Sequence, residues 1–319
     1  MHFLIIDIRK RVGDVDTPHY AVARIIEELK RRAIPYETCH YDDLSLSVHN
    51  KNFSITAKGK DLTEFSHIII RGHRTDYEYM LKQHIVTCAR KNGIIVQNAN
   101  FIARAPHYTK TIQMQMLSDA GIPFIDSYYT IDGRYWEKKE IVEELGFPLI
   151  YKHTEGEYRL EIIDGVEKTK KNIYLVNNIE ELAKECKLRD EPEDSFLTKA
   201  SKFFIQRFVD TGADYRAMVI GGSYKGGWKR VATRNFLTVS KGEYTLLTHP
   251  DAAFQECAEK TAAVFEADYC AVDIIYVENT PYVLEINMNP GFKAFEQKVA
   301  GNTLNVAKEI VDAMLEQET

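Results

Sequence analysis

Residues 271–291, AVDIIYVENTPYVLEINMNPG, place hydrophilic side chains inside two apolar, β-branched runs. The polar break containing Pro281 reads as the turn of a β-hairpin. A buried strand should carry aliphatic residues where Asp273 interrupts VDII and Glu285 interrupts VLEIN. Glu285 and Asn287 are two apart, so they share one face of their strand. Asp273 joins that face only if the pairing register sets it opposite one of them. A three-residue loop of Asn279, Thr280 and Pro281 does so, pairing Asp273 with Asn287; a four-residue loop without a bulge turns it away. Three hard oxygen ligands meeting at one place, with positions left for water and phosphate, suit Mg²⁺. The plainer reading, acids on a water-facing edge, explains three such intrusions less well.

The pattern of Asp273, then about a dozen residues later Glu285-Ile286-Asn287-Met288-Asn289-Pro290-Gly291, resembles the signature of the ATP-grasp superfamily. Within it the whole chain, from first strand to last helix, is similar to RimK-type carboxylate–amine ligases. The resemblance implies a mixed α/β (α+β) ATP-grasp fold in three parts: a Rossmann-like N-terminal domain over 1–105, a middle lid-bearing subdomain over 106–204 and a C-terminal metal-binding subdomain over 205–319. It implies ATP gripped between the second and third parts, with Mg²⁺, or Mn²⁺ in its place, on Asp273, Glu285 and Asn287.

Periodicity read along the chain gives compatible elements. FLIIDI (3–8) is a buried strand, and Thr17-Pro18 supplies an N-cap and a first-turn proline for a helix with Val22, Ile25, Ile26 and Leu29 on one face. Strands over 36–41, 67–70 and 94–98, a hairpin around Asn50-Lys51 and a helix over 76–91 follow. Strand–helix alternation of this kind predicts a largely parallel sheet. A helix over 107–120 stops at Gly121-Ile122-Pro123. Strands are expected over 147–153, 173–176, 203–209, 214–222 and 228–232, and helices over 251–267 and at the C-terminus.

At 319 residues the chain suits two or three domains. A net charge of −6 argues against a dominant nucleic-acid surface. No apolar run approaches a membrane span, and MHFLIIDIRK enters a strand directly, without the basic start of a signal peptide. The five cysteines lack CxxC spacing and read as reduced, buried fillers of a cytoplasmic protein. No HExxH, nucleophile elbow or GxGxxG motif offers a competing chemistry.

Further candidates follow from the resemblance. Lys152, at the end of FPLIYKH, matches a nucleotide-contacting lysine, and Lys110 matches one that reaches the phosphates; a solvated first-turn lysine is the alternative for Lys110. Gln206, Arg207, Phe208 and Val209 match the hinge that reads adenine through its backbone, with Arg207 standing where the family has Glu. Asp214 matches a ribose ligand and Asn235 a phosphate-side Asn; Arg234, just before it, is a nucleotide-binding candidate with surface ion pairing as the alternative. Arg216 and Arg230, alternating with apolar residues, suit bidentate contacts to phosphate or acyl phosphate and are the catalytic candidates; surface ion pairing is the alternative. Arg71, His73 and Arg74, beyond a strand end, are candidate carboxylate binders. The stretch 154–172 departs from the family by being long, charged and poor in glycine: either Arg159 or a lysine replaces the backbone donors of a phosphate lid, or the stretch is an interaction loop and catalysis is impaired.

The expected activity is ATP-dependent amide bond formation through an acyl phosphate. The partners expected are a carboxylate, on a small molecule, peptide or protein, and an amino-acid amine. The resemblance implies a homo-oligomer, dimer or tetramer, with no nucleic acid or membrane partner. An ATP-grasp kinase acting on a hydroxyl and an ATP-binding pseudoenzyme are the competing readings.

Overall fold

The computed structural model describes residues 1–8, 18–72, 76–105, 108–154, 158–163, 166–190, 199–231 and 243–317, with backbone alone at 76, 158–163, 166–171 and 199. Strands Tyr36–His40, Phe3–Asp7, His67–Ile70 and Ile95–Val96 lie in that order in a parallel sheet. Alternation explains its burial. Leu4 and Ile6 enter one apolar cluster, while Phe3 and Ile5 enter another with Val22, Ile25 and Leu29 of the Tyr20–Arg31 helix. Both faces are covered, as parallel sheets require.

The first helix begins at Tyr20 with His19 at the N-cap, so Pro18 stands outside it rather than at its first position; Thr17 lies outside the described residues. The strand expected over 94–98 shortens to Ile95–Val96, because Asn98 leaves extended geometry at φ 58°. The hairpin Leu44–His49/Asn52–Ala57 forms as read, with Asn50 and Lys51 at φ 49° and 67° supplying its two-residue turn.

A middle antiparallel sheet has the order Ile173–Val176, Leu149–His153, Phe203–Arg207, Ser127–Tyr128. Its last long strand crosses the boundary expected at 204/205. Within the stretch expected as a polar loop, Tyr158–Ile163 and Val166–Lys171 pair as an antiparallel hairpin.

The C-terminal antiparallel sheet runs Glu243–Leu246, Ser223–Val231, Ala213–Ile220, Tyr269–Val277, Thr280–Asn287. It packs against both apolar clusters that cover the parallel sheet, one of them through the Val306–Glu316 helix. Its outer strand is covered rather than bare: Val283 N–H donates to Pro123 O at 2.8 Å, and Phe124 bridges to Val283.

Candidate active site

The last hairpin reaches the expected face by a different register. Val277 pairs with Thr280 across a two-residue turn, Glu278-Asn279, with φ of 49° and 68°. Pro281 therefore lies in the strand opposite Tyr276, not in a three-residue loop. An uninterrupted ladder from that turn would set Asp273 against Leu284. A bulge shifts the register so that Ile274 pairs with Val283 but Asp273 pairs with Glu285, leaving Leu284 as the extra residue. Asp273 thus faces Glu285 rather than Asn287, which pairs with Ala271.

Cross-strand pairing then builds the site. Trp228, Arg216, Asp273 and Glu285 form one transverse row over four neighbouring strands. Arg230 and Asp214 pair in the adjoining row. Side chains opposite one another on one face are close enough to interact, and here they do. Arg216 donates from Nε and Nη2 to the two Asp273 carboxylate oxygens, both at 2.5 Å. Arg230 donates from Nε to Asp214 Oδ1 at 2.7 Å, from Nη2 to Asp214 Oδ2, and lies 3.2 Å from Asp273 Oδ2. Burial pushes the Asp273 carboxyl up, but Arg216 and Arg230 outweigh it and hold it at about 2. Asp214 is pushed up by its own burial, with Arg230 opposing.

Lys110 opens the Lys110–Asp119 helix, whose N-cap Thr109 accepts from Ile112 N–H. It is buried and donates to Glu285 Oε2, which explains why Glu285 is shifted down although burial opposes that shift. Lys152 donates to Gln206 Oε1 at 2.9 Å and lies 5.2 Å from the Phe204 ring centre. Gln206 is buried and donates in turn to Ser127 Oγ at 2.8 Å. Asn287 Oδ1 accepts from Asn289 N–H at 3.0 Å.

A cavity of about 430 Å³ lies between the middle and C-terminal sheets, a size suited to a small-molecule ligand. Lys152, Gln206, Arg207, Phe208, Val209, Asp214, Arg216, Arg230, Asp273, Glu285 and Asn287 all line it. Lys110 lines an adjoining crevice that shares Gln206 and Leu284. Arg207 is an exposed member, paired with Asp126 at 2.8 Å. Arg234, Asn235, His73 and Arg74 lie outside the described residues, as does the Arg159 side chain. Ile125, Ile150, Ile173 and Leu284 add an apolar wall.

Sequence reasoning missed Gln113. Its side-chain amide donates to Ile286 O at 3.1 Å and accepts from Ile286 N–H at 3.2 Å, acting as a surrogate strand between Glu285 and Asn287. Tyr108 OH adds a donor to Ile286 O at 3.2 Å. The available signal was a glutamine three residues after Lys110, beside Met114 and Leu117 on a helix.

A model of the RimK-like ATP-grasp domain matches residues 107–314. The chain belongs to the RimK-like ATP-grasp family. A probable alpha-L-glutamate ligase of Rhodopirellula baltica is 22% identical over 312 residues, covering 93% of this chain and 68% of its own. Among solved structures, the macrocyclase MdnC of Microcystis aeruginosa, bound with precursor peptide MdnA, matches with a TM-score of 0.70 at 13% identity over 99% of this chain and 100% of MdnC. ATP-grasp ligase PsnB, complexed with minimal precursor, Mg and ADP, matches with a TM-score of 0.66 at 17% identity over 99% and 97%. These structural likenesses share the ATP-grasp fold.

Proposed function

We propose that this RimK-like ATP-grasp chain is an ATP- and Mg²⁺-dependent carboxylate–amine ligase. The observation that carries the reading is the Arg216–Asp273–Glu285 row lining a ligand-sized cavity, with Lys110 and Lys152 beside it. Among the described residues, and leaving aside the exposed Arg207–Asp126 pair, the site holds four cations, Lys110, Lys152, Arg216 and Arg230, against three carboxylates, Asp214, Asp273 and Glu285. A polyphosphate meets a favourable field there.

The donor set fits Mg²⁺. Two carboxylates oppose each other across one hairpin, an amide oxygen follows on the same face, and all three line the cavity. Asp273, Glu285 and Asn287 would hold the ion, which when bound would offset charge on the transferring phosphoryl group. The apolar wall suits a base. Arg207 and Phe208 N–H groups already donate to Asp126 O and Pro148 O, so base reading at the hinge falls to Val209 N–H and to carbonyls.

The chemistry follows from the charges. A substrate carboxylate oxygen attacks the γ-phosphorus, and ADP leaves. An amine then attacks the acyl carbon, loses a proton and expels phosphate, leaving an amide. Arg216 and Arg230 would hold the transferring oxygens bidentately, released from Asp273 and Asp214 as phosphate takes their place. The glutamate ligases named among the relatives, one acting on coenzyme gamma-F420-2, and the precursor-peptide complexes among the structural neighbours support an amino acid as one substrate and a small molecule or peptide as the other.

The test is incubation with ATP, Mg²⁺, pooled amino acids and a peptide mixture, following ADP, phosphate and product mass. ADP and phosphate release with a mass gain of one amino acid less water is expected. A mass gain of one phosphoryl group without free phosphate would replace ligase with kinase.

A further inference from the structure

The hairpin Leu44–His49/Asn52–Ala57 takes no part in the candidate active site: none of its residues lines the cavity or the adjoining crevice. With Lys60–Asp61 it makes a three-stranded sheet in which Leu44–His49 is an outer strand. One face of that sheet is apolar, with Leu44, Leu46 and Val48 opposite Ala57, Ile55 and Phe53. Ala57 and Ile55 are buried, but exposure rises toward the turn, to 38% at Leu46, 40% at Phe53 and 73% at Val48.

Outer strands are normally protected by charge, proline or a bulge, because their free N–H and C=O groups are ready to pair with another chain. Leu44–His49, LSLSVH, contains no Asp, Glu, Lys, Arg or Pro, and its register with Asn52–Ala57 is unbroken. Among the described residues no backbone hydrogen bond reaches its outer edge. Asp43 O accepts from Lys58 N–H at 3.0 Å. Backbone groups alternate in direction along an antiparallel strand, so Ser45, Ser47 and His49 bond inward, while Leu44, Leu46 and Val48 present N–H and C=O outward.

This edge is complementary to itself. Leu-Ser-Leu-Ser-Val reads alike in both directions about Leu46. A two-fold axis at Leu46 sets it against Leu46 of a second copy, and sets Leu44 of each copy against Val48 of the other. Every residue so paired has outward backbone groups to exchange, and the apolar stripe continues across the axis. Charge agrees with the antiparallel sense: the end carrying exposed Asp42 meets the end carrying exposed Lys51. A parallel alignment would set like charges together. A foreign peptide strand would find the same backbone groups, but would leave the symmetry about Leu46 without a cause.

We infer that Leu44–His49 is a dimer interface, pairing antiparallel with the same strand of a second copy of this chain to form one continuous sheet. The inference is independent of the ligase reading.

The test is sedimentation equilibrium of the full chain over a range of concentrations. The wild type should sediment at twice the 36.7 kDa chain mass, or as a larger even-numbered assembly. Leu46→Lys sets two ammonium groups against each other at the axis and should weaken association about a hundredfold or more, halving the mass while circular dichroism stays unchanged. Leu46→Glu should do the same, and an equimolar mixture of the two variants should associate again, because this position faces itself across the axis. Val48→Lys, at a position well exposed in the single chain, should also dissociate the dimer and carries the test if the Leu46 variants do not fold. A monomeric or odd-numbered wild type, a mass unmoved by Leu46→Lys or Val48→Lys, or two Leu46 variants that stay apart when mixed would overturn the proposal.

Discussion

Replacing Asp273 by Asn should destabilise the protein strongly, whatever its activity. Asp273 is 7% exposed and accepts two hydrogen bonds of 2.5 Å from Arg216, with Arg230 at 3.2 Å. Arg230 would keep Asp214, but Arg216 would lose its hydrogen-bonded anion. Breaking a buried pair from one side costs about 3–5 kcal/mol, because the remaining charge stays desolvated. Titration gives a comparable figure. Holding the carboxyl at about 2 instead of 3.8 corresponds to a few kcal/mol, on the order of 2. The sign follows from a depressed carboxyl: the stabilisation is full above about pH 4 and is lost as pH falls from there through about 2. Urea unfolding followed by tryptophan fluorescence is the assay, with Trp228 5.8 Å from the Arg216 guanidinium. At pH 7 the midpoint of Asp273→Asn should drop by about 1 M, taking an m-value of about 3 kcal/mol/M. The gap to wild type should narrow toward pH 2, and adding Arg216→Met should recover part of the loss. A midpoint shift under about 0.2 M at pH 7, or a gap independent of pH, would refute the argument.

Other residues give independent tests. Gln113→Leu strips the Ile286 N–H of its acceptor and should cost about 1–3 kcal/mol; amide exchange should speed at Ile286, and unchanged protection there would show that the surrogate strand is dispensable. Asn98, at φ 58°, bonds Tyr269 N–H, Tyr269 O and Met288 O at 3.0, 2.9 and 2.9 Å. Asn98→Ala should therefore be less stable than Asn98→Gly by about 1 kcal/mol in chemical denaturation, because alanine adds left-handed strain to the lost bonds; equal stabilities would contradict this. Lys152→Met should weaken AMP-PNP binding about tenfold or more in a titration, and an unaltered affinity would leave Lys152 with a structural role. Arg207→Ala removes the exposed pair with Asp126 and an exposed 3.4 Å hydrogen bond from Nε to Leu145 O and should shift stability by less than about 1 kcal/mol; a larger loss would mean that the hinge depends on that side chain.

Much of this protein was legible locally. The strand and helix periods, the Asn50-Lys51 turn, and the presence of Asp273, Glu285 and Asn287 in apolar runs are facts about neighbouring residues, and the resemblance carried by residues 273–291 already implied the ATP-grasp fold. All five cysteines are free and buried, as their spacing suggested. Among the described residues no helix is long and apolar enough to cross a membrane. What tertiary structure decided is register and partnership. A bulge at Leu284, invisible in hydrophobic pattern, brings Asp273 opposite Glu285, because a one-residue slip inverts every side chain beyond it. Lys110 meets Glu285 across 175 residues, and Gln113 meets Ile286 across 173. Such pairs arise only when a helix from one part of the chain is packed on a strand from another, and no local preference encodes them. The sequence determined which chemical groups were available; the packed sheet decided which of them face one another.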